Sequence, residues 1–188
     1  MRFDVFPTTF SPAEVAQFTD VSTDLQRDWR RRGIIDNNDG FGVVSLREAV
    51  SIFLTKMLST NGFGPMQAAI FTRSIVEQVL ARTLNRLEVW DGEWDNVPIK
   101  STDLRLTALL SQYIRCSSLN IKDYSIFLYD RTIKISNNIS QELVSIQNHA
   151  NGLSAHPIVI LDHVGIADEL LRRLGSRYLA RFVFENSS

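Results

Sequence analysis

The spacing of helix start and stop signals in the first 33 residues constrains the fold more than any other feature. Ser11-Pro12-Ala13-Glu14 has the form of a capping box with proline at the first helical position, so it predicts the start of a helix. Ser22 offers a second N-cap, and Gly33 is typical of the position just after a helix. The sequence therefore predicts two short helices joined by a tight turn, which is the helix-turn-helix pattern.

Helical patterning continues to about residue 88. Two short apolar runs, 34–35 and 41–44, flank an Asp-Gly turn and predict a β-hairpin. Residues 45–48 form a second capping box that starts a third helix, and residues 61–64 separate it from a fourth. The fourth helix, 65–87, carries an apolar stripe so wide that either the C-terminal half or a second subunit must cover it.

The second half of the chain mixes helical and strand patterns, and we predict an α+β protein. Residues 89–98 combine glycine, proline, three acids and two tryptophans, which is typical of a connector. The predicted units are a mainly helical one over 1–64, a long connecting or dimerisation helix over 65–90, and a small α+β domain over 97–188. Its predicted strands are 124–129, 132–135, 157–161 (a continuous apolar run typical of a buried strand) and 178–184, and its predicted helices are 102–114, 139–146 and 164–174.

Composition excludes several classes of protein. A chain of 188 residues with 44% apolar side chains is long enough to bury a core without disulfides. The single cysteine, Cys116, excludes a disulfide framework and a multi-thiolate zinc site. A formal net charge of −1 excludes a strongly basic nucleic-acid coat protein, although a local basic face is compatible with it. Without an apolar run of about 18 residues, we expect no membrane span and a cytoplasmic protein.

No pattern predicts catalysis. His149, His156 and His163 recur every seven residues, but glycine and proline between them interrupt any continuous helix that would gather them at a metal. Ser154 with Asp162 and His163 supplies the residue types of a hydrolytic triad, yet no nucleophile elbow or glycine-rich oxyanion loop accompanies them. We therefore expect no enzyme, no cofactor and no metal.

Two segments resemble a known family. Residues 21–35, VSTDLQRDWRRRGII, align without a gap on the pattern V-S-x-x-T-L-R-x-[YW]-x-x-x-G-L-[LI] of MerR-type regulators. Residues 46–63 resemble the helix of that family which ends in L-x-x-x-G-[FY]. The order of elements over about 9–88 is similar to the MerR-like winged helix-turn-helix, and its first part is shared with excisionase-like proteins. The resemblance implies a DNA-binding domain that acts as a dimer.

The second predicted helix would then enter the major groove. Gln26 is able to pair bidentately with adenine, and Arg27 with guanine or a phosphate. The resemblance places Arg27 and Trp29 against the DNA backbone. Gln26 stands where the family usually has a core leucine, so Leu25 and Trp29 are expected to fill that contact. The candidate DNA-binding residues are Thr23, Asp24, Gln26, Arg27, Trp29, Arg30, Arg31, Arg32 and Arg47.

The wing departs from the family because residues 36–39 are acidic and lack the arginine that many wings place in the minor groove. We expect a sequence-specific transcriptional regulator of bacterial or phage origin, a homodimer on double-stranded DNA, with an assembly or sensing domain after the connector. Two alternatives stay open: an excisionase-like architectural protein, and an antitoxin-like interaction module whose basic helix binds an acidic partner. For the dimer, we expect that a chain ending at Glu88 keeps its helical fold but binds DNA much more weakly than the full chain.

Overall fold

The computed structural model describes residues 2–36, 42–92, 94, 107–110, 113, 121–127, 133–149 and 159–185. The described chain is a mixed α+β protein, mostly helical, with three small β-sheets. The helices are α1 (Pro12–Thr19), α2 (Thr23–Arg31), α3 (Leu46–Thr60), α4 (Pro65–Leu84), α5 (Ile139–His149) and α6 (His163–Leu174), and a 3₁₀ turn spans Leu87–Val89. The strands are β1 (Arg2–Pro7), β2 (Thr9–Phe10), β3 (Val44–Ser45), β4 (Trp90–Asp91), β5 (Tyr124–Phe127), β6 (Ile133–Ser136), β7 (Val159–Asp162) and β8 (Ala180–Glu185).

The two predicted N-terminal helices are confirmed, and so are their caps. The Ser11 hydroxyl accepts from the Glu14 amide while the Glu14 carboxylate accepts from the Ser11 amide, so the capping box is complete. Ser22 caps α2 by accepting from the Leu25 amide at 3.2 Å. We call α1, the turn 20–22 and α2 together the two-helix unit (residues 12–31).

The predicted hairpin between 34–35 and 41–44 is wrong in its pairing. Val44 and Ser45 pair antiparallel with Phe10 and Thr9, which precede α1. Ile34 and Ile35 are instead buried in a bend after Gly33, where the positive φ of 67° turns the chain back toward the core. The Ile34 amide donates to the Trp29 carbonyl at 2.9 Å, so it closes the end of α2 and is not available to a neighbouring strand. The acidic tip at 37–41 lies outside the described residues.

The apolar face of α4 is covered by the chain itself. α4 lies between α3 and α6, and its buried side chains include Phe71, Ile75 and Val79. The sequence analysis left open whether the C-terminal half or a second subunit packs on this face, and the C-terminal half does so through α6. Ile70, a member of the predicted stripe, stays half exposed on the first turns of α4, and so does Met66 one turn before it.

The two ends of the chain meet in one sheet, which the sequence did not predict. β1 pairs antiparallel with β8, and β4 pairs with β8 on its other side in parallel, so the strand order is β1-β8-β4. A single cluster of buried side chains runs from Phe10 in the N-terminal half to Phe182 in β8. The predicted units 1–64 and 97–188 thus share a core.

In the C-terminal half, the strands predicted at 124–129, 132–135 and 178–184 and the helices at 139–146 and 164–174 are confirmed within one to three residues. The strand predicted at 157–161 exists as β7, but it is not buried. β7 is an edge of the antiparallel order β6-β5-β7, and its alternate side chain Ile160 is exposed. Most of the helix predicted at 102–114 lies outside the described residues. Of the helices described, none combines the length and apolarity that crossing a bilayer requires.

Candidate nucleic-acid interface

α2 presents two faces with different roles. Asp24, Arg27 and Arg31 follow one another at three- and four-residue spacing and form its exposed face. Gln26 and Trp29 form the opposite face and are buried. Thr23, at the first helical position, is half buried. The first group, together with Arg32 just after α2, is therefore open to a partner that approaches from solvent.

Gln26 is a core residue. Its amide nitrogen donates to the carbonyls of Pro12 and Val21, both at 2.9 Å, and the side chain is fully buried. It therefore joins the start of α1 to the turn before α2. An amide held in this way does not reach a base edge, so the adenine contact predicted for Gln26 does not fit its position. Gln26 itself fills the site at which the family pattern has leucine, while Leu25 is only partly buried.

Trp29 and Arg30 also serve the fold. Trp29 is buried in the main core, which leaves its ring away from any phosphate on the exposed face. Arg30 donates to the Glu48 carboxylate at 2.7 Å, and the Glu48 side chain is almost completely buried. This ion pair ties α2 to the first turn of α3. The predicted DNA contacts of these two residues are therefore not supported by their surroundings.

The exposed arginines pair with acids on the same helix. Arg27 donates to Asp24 at 3.0 Å, with both side chains more than three-quarters exposed. Arg31 and Arg32 share Asp28 at 2.5 and 3.4 Å. The hydrogen bond from Arg31 holds the pKa of the Asp28 carboxyl below its ordinary value, against a smaller opposing effect of burial. Exposed pairs of this kind are weak because water and salt screen them, so a phosphate is able to replace the acid.

Arg47 lies on a neighbouring surface. It follows the N-cap Ser45 of α3 and donates to Glu77 of α4 at 2.6 Å, with about half of its side chain exposed. Together with Asp36 and Ser51 it lines a groove beside the start of the acidic loop. The structure therefore keeps Arg47 accessible, on α3 and not on α2.

A buried polar pair in the C-terminal half was not predicted. His163 donates from Nδ1 to the Lys122 carbonyl, and its Nε2 accepts from the Ser125 hydroxyl, both at 2.8 Å. Both side chains are fully buried, so no substrate reaches them. Burial lowers the pKa of His163, partly offset by the hydrogen bond to Lys122. Asp162, a member of the rejected triad, caps α6 instead. Only the topology brings Ser125 to His163, so no local motif signals the pair.

Potential metal ligands do not gather in the part of the chain that is described, where no group of three histidine, cysteine or acidic side chains comes together. Of the three evenly spaced histidines, only His163 has a described side chain, and His156 lies outside the described residues. Neither a comparison of the chain with models of known protein families nor one with curated proteins finds a match.

Proposed function

We propose that this protein binds double-stranded DNA sequence-specifically, with α2 as a recognition helix in the major groove, and acts as a transcriptional regulator. The observation that carries the proposal is the division of α2 into a buried face, which fixes the helix to α1 and α3, and an exposed face bearing Arg27 and Arg31. A recognition helix needs both: rigid support behind it and long cationic donors in front.

The electrostatics are compatible with this role. Arg27, Arg31 and Arg32 stand against Asp24 and Asp28, so the described α2 surface keeps one positive charge in excess. Contact with phosphates would exchange intrahelical pairs for charge-assisted bonds to DNA. Arg47 would extend the contact toward the duplex backbone beside the acidic loop.

A homodimer belongs to the proposal, because one small domain covers only about 600–1,000 Å² of a duplex and two copies double the contacts. α3 and α6 pack against α4 from two sides and bury most of its apolar side chains, so little of that face is left for a second copy. The half-exposed Met66 and Ile70 lie one turn apart and are the surface we assign to the second copy. Mass from light scattering, and the spacing of half-sites in a footprint, test this part.

The function itself is tested by selecting duplexes from a random-sequence pool and measuring affinity for the selected duplex across a salt series. We expect log affinity to fall steeply with log salt, because each phosphate contact releases counterions. The double variant Arg27→Ala, Arg31→Ala should bind about 10–100-fold more weakly at low salt and show a shallower slope by about one to two.

The matched control is Arg181→Ala. Arg181 is an exposed arginine near an acid, Asp91, but it lies on β8 instead of α2. We expect its loss to leave duplex binding unchanged. Equal losses for both variants, or a selection that enriches no duplex, would contradict DNA recognition by α2.

The ion pairs within α2 favour a second candidate function, that of a protein-interaction module. Alternating acids and arginines at Asp24, Arg27, Asp28 and Arg31 offer both signs of charge to a complementary helix. Such a module would show no duplex enrichment. The Arg27→Ala, Arg31→Ala variant should then capture less of the protein partner. An acidic polymer such as heparin should not displace that partner from the unaltered protein.

A further inference from the structure

One side chain from the C-terminal half contacts three parts of the helical N-terminal region. Arg173, near the end of α6, donates from one terminal nitrogen to the Asp20 carboxylate at 2.5 Å and to the Phe18 carbonyl at 3.3 Å. The central carbon of its guanidinium lies 5.6 Å from the centre of the Phe53 ring in α3. Arg173 therefore joins α1, the turn after it and α3 at one point.

These contacts fall where the two-helix unit needs support. Phe18 carries one of the last carbonyls of α1, which have no partner within the helix, and a cation there is favoured by the helix dipole. Asp20 begins the turn that leads into α2 and has a left-handed backbone, with φ of 58°. The ion pair with Arg173 thus holds the residue whose conformation directs the chain from α1 into α2.

A second arginine holds the other end of α1. Arg177 donates to the Glu14 carboxylate at 2.9 Å, and this carboxylate also closes the capping box with Ser11. Arg173 is itself oriented by Glu169, which accepts from its Nε at 2.7 Å. Both ends of α1 are therefore held from α6 and the segment after it, by arginines four residues apart.

We propose that Arg173 is a positioning residue for DNA binding: through Phe18 and Asp20 it sets the angle at which α2 leaves the turn, and so couples the C-terminal half to DNA affinity. This inference rests on the proposed function. The contacts of Arg173 with the turn do not depend on that function, because they are present whether or not DNA is the partner. It gives the C-terminal half a route by which to change binding without touching the duplex.

Hydrogen exchange without DNA tests the hold itself. In Arg173→Gln, we expect the backbone amides of residues 19–23 to exchange faster than in the unaltered full-length protein, while those in the middle of α3 stay unchanged. The matched control is Arg172→Gln, since Arg172 pairs with the same Glu169 but is more exposed. Unchanged exchange at 19–23 in Arg173→Gln would overturn the proposal.

Duplex binding tests the coupling. Affinity of Arg173→Gln for the selected duplex should fall by about fivefold or more, the usual size of coupling between sites. The slope of log affinity against log salt should not change, because no phosphate contact is lost. A loss of affinity with a slope shallower by about one would show that Arg173 binds a phosphate directly, and would overturn the positioning role.

Asp20→Asn is the second variant, and it tests the same ion pair from the acceptor side if Arg173→Gln does not fold. It removes the charge of the acceptor and leaves the arginine in place, so it should reproduce the faster exchange and the lower affinity in weaker form. Unchanged exchange and affinity in Asp20→Asn would count against the proposal. If the unaltered protein binds no duplex, the proposed function fails and the coupling to DNA with it, whereas the exchange experiment still decides whether Arg173 holds the turn.

Discussion

Gln26 is a polar residue on α2, a helix rich in charged side chains, and yet it belongs to the core. Read from the sequence, glutamine in the first turns of a basic helix is a candidate for adenine recognition. In the structure, its amide group satisfies two backbone carbonyls where the chain turns between α1 and α2. A leucine there, as in the resembling family, would fill the space and leave the Val21 carbonyl without this donor.

We predict that Gln26→Ala lowers the free energy of unfolding by about 2 kcal/mol, since it leaves a cavity and removes both hydrogen bonds. Its exposed neighbour provides the control: Arg27→Ala should change stability by less than about 0.5 kcal/mol. Urea denaturation of the two variants and the unaltered protein measures both values. Unchanged stability of Gln26→Ala together with lost duplex binding would restore the base contact predicted from the sequence.

At the scale of elements, His163 joins the β6-β5-β7 sheet to the helices. It begins α6, contacts Lys122 and Ser125 of the β5 segment, and its own amide donates to the Asp123 carbonyl at 2.7 Å. The charged groups around it are Arg82 of α4, which disfavours its cationic form, and Asp123 and Asp162, which favour it. Burial outweighs the acids, so the neutral ring is the stable form.

A pH dependence of stability follows. The folded pKa of His163 lies below its ordinary value of 6.5, so the unfolded chain binds the proton first as the pH falls. We predict that stability decreases below about pH 6.5, by at most about 1.4 kcal/mol per pH unit from this group.

Comparing urea denaturation at pH 7.5 and 5.5 for the unaltered protein and for His163→Gln tests the prediction; the variant should be less stable at pH 7.5 but should lose less on acidification. Glu169 does not interfere in this interval. Hydrogen bonds from Arg172 and Arg173 lower its pKa from 4.5 to about 2, so its contribution is lost only in stronger acid. An equal loss in both proteins would assign the pH dependence to other groups.

At the scale of the whole molecule, the N-terminal half takes strand pairing, helix packing and ion pairs from the C-terminal half. β1 depends on β8 for its pairing, α4 on α6 for its cover, and the ends of α1 on Arg173 and Arg177. These contacts argue against the expectation that a chain ending at Glu88 keeps its fold. We predict that this truncated chain loses its cooperative thermal transition, measured by circular dichroism, because the buried face of α4 becomes exposed to water. A cooperative transition close to that of the full chain would show that the N-terminal half folds alone.

The sequence by itself determined where most described helices and strands begin and end. Capping at Ser11 and Ser22, the turn at Gly33 and the periodicity of α4 all act between residues a few positions apart, so their signals are local. The exposed pairing of Arg27 with Asp24 is local in the same sense. The arginines of α2 could therefore be named as candidates from the sequence.

The tertiary structure alone decided which of those candidates remain available. Gln26 and Arg30 are removed from the exposed face by partners 14 and 18 residues away, and β3 pairs with a strand that precedes α1. The joining of the two chain ends is more distant still: the Thr8 hydroxyl donates to the Tyr178 carbonyl, 170 residues on. Such partners share no periodicity with the residues they contact, because packing of the core, and not the local chain, brings them together.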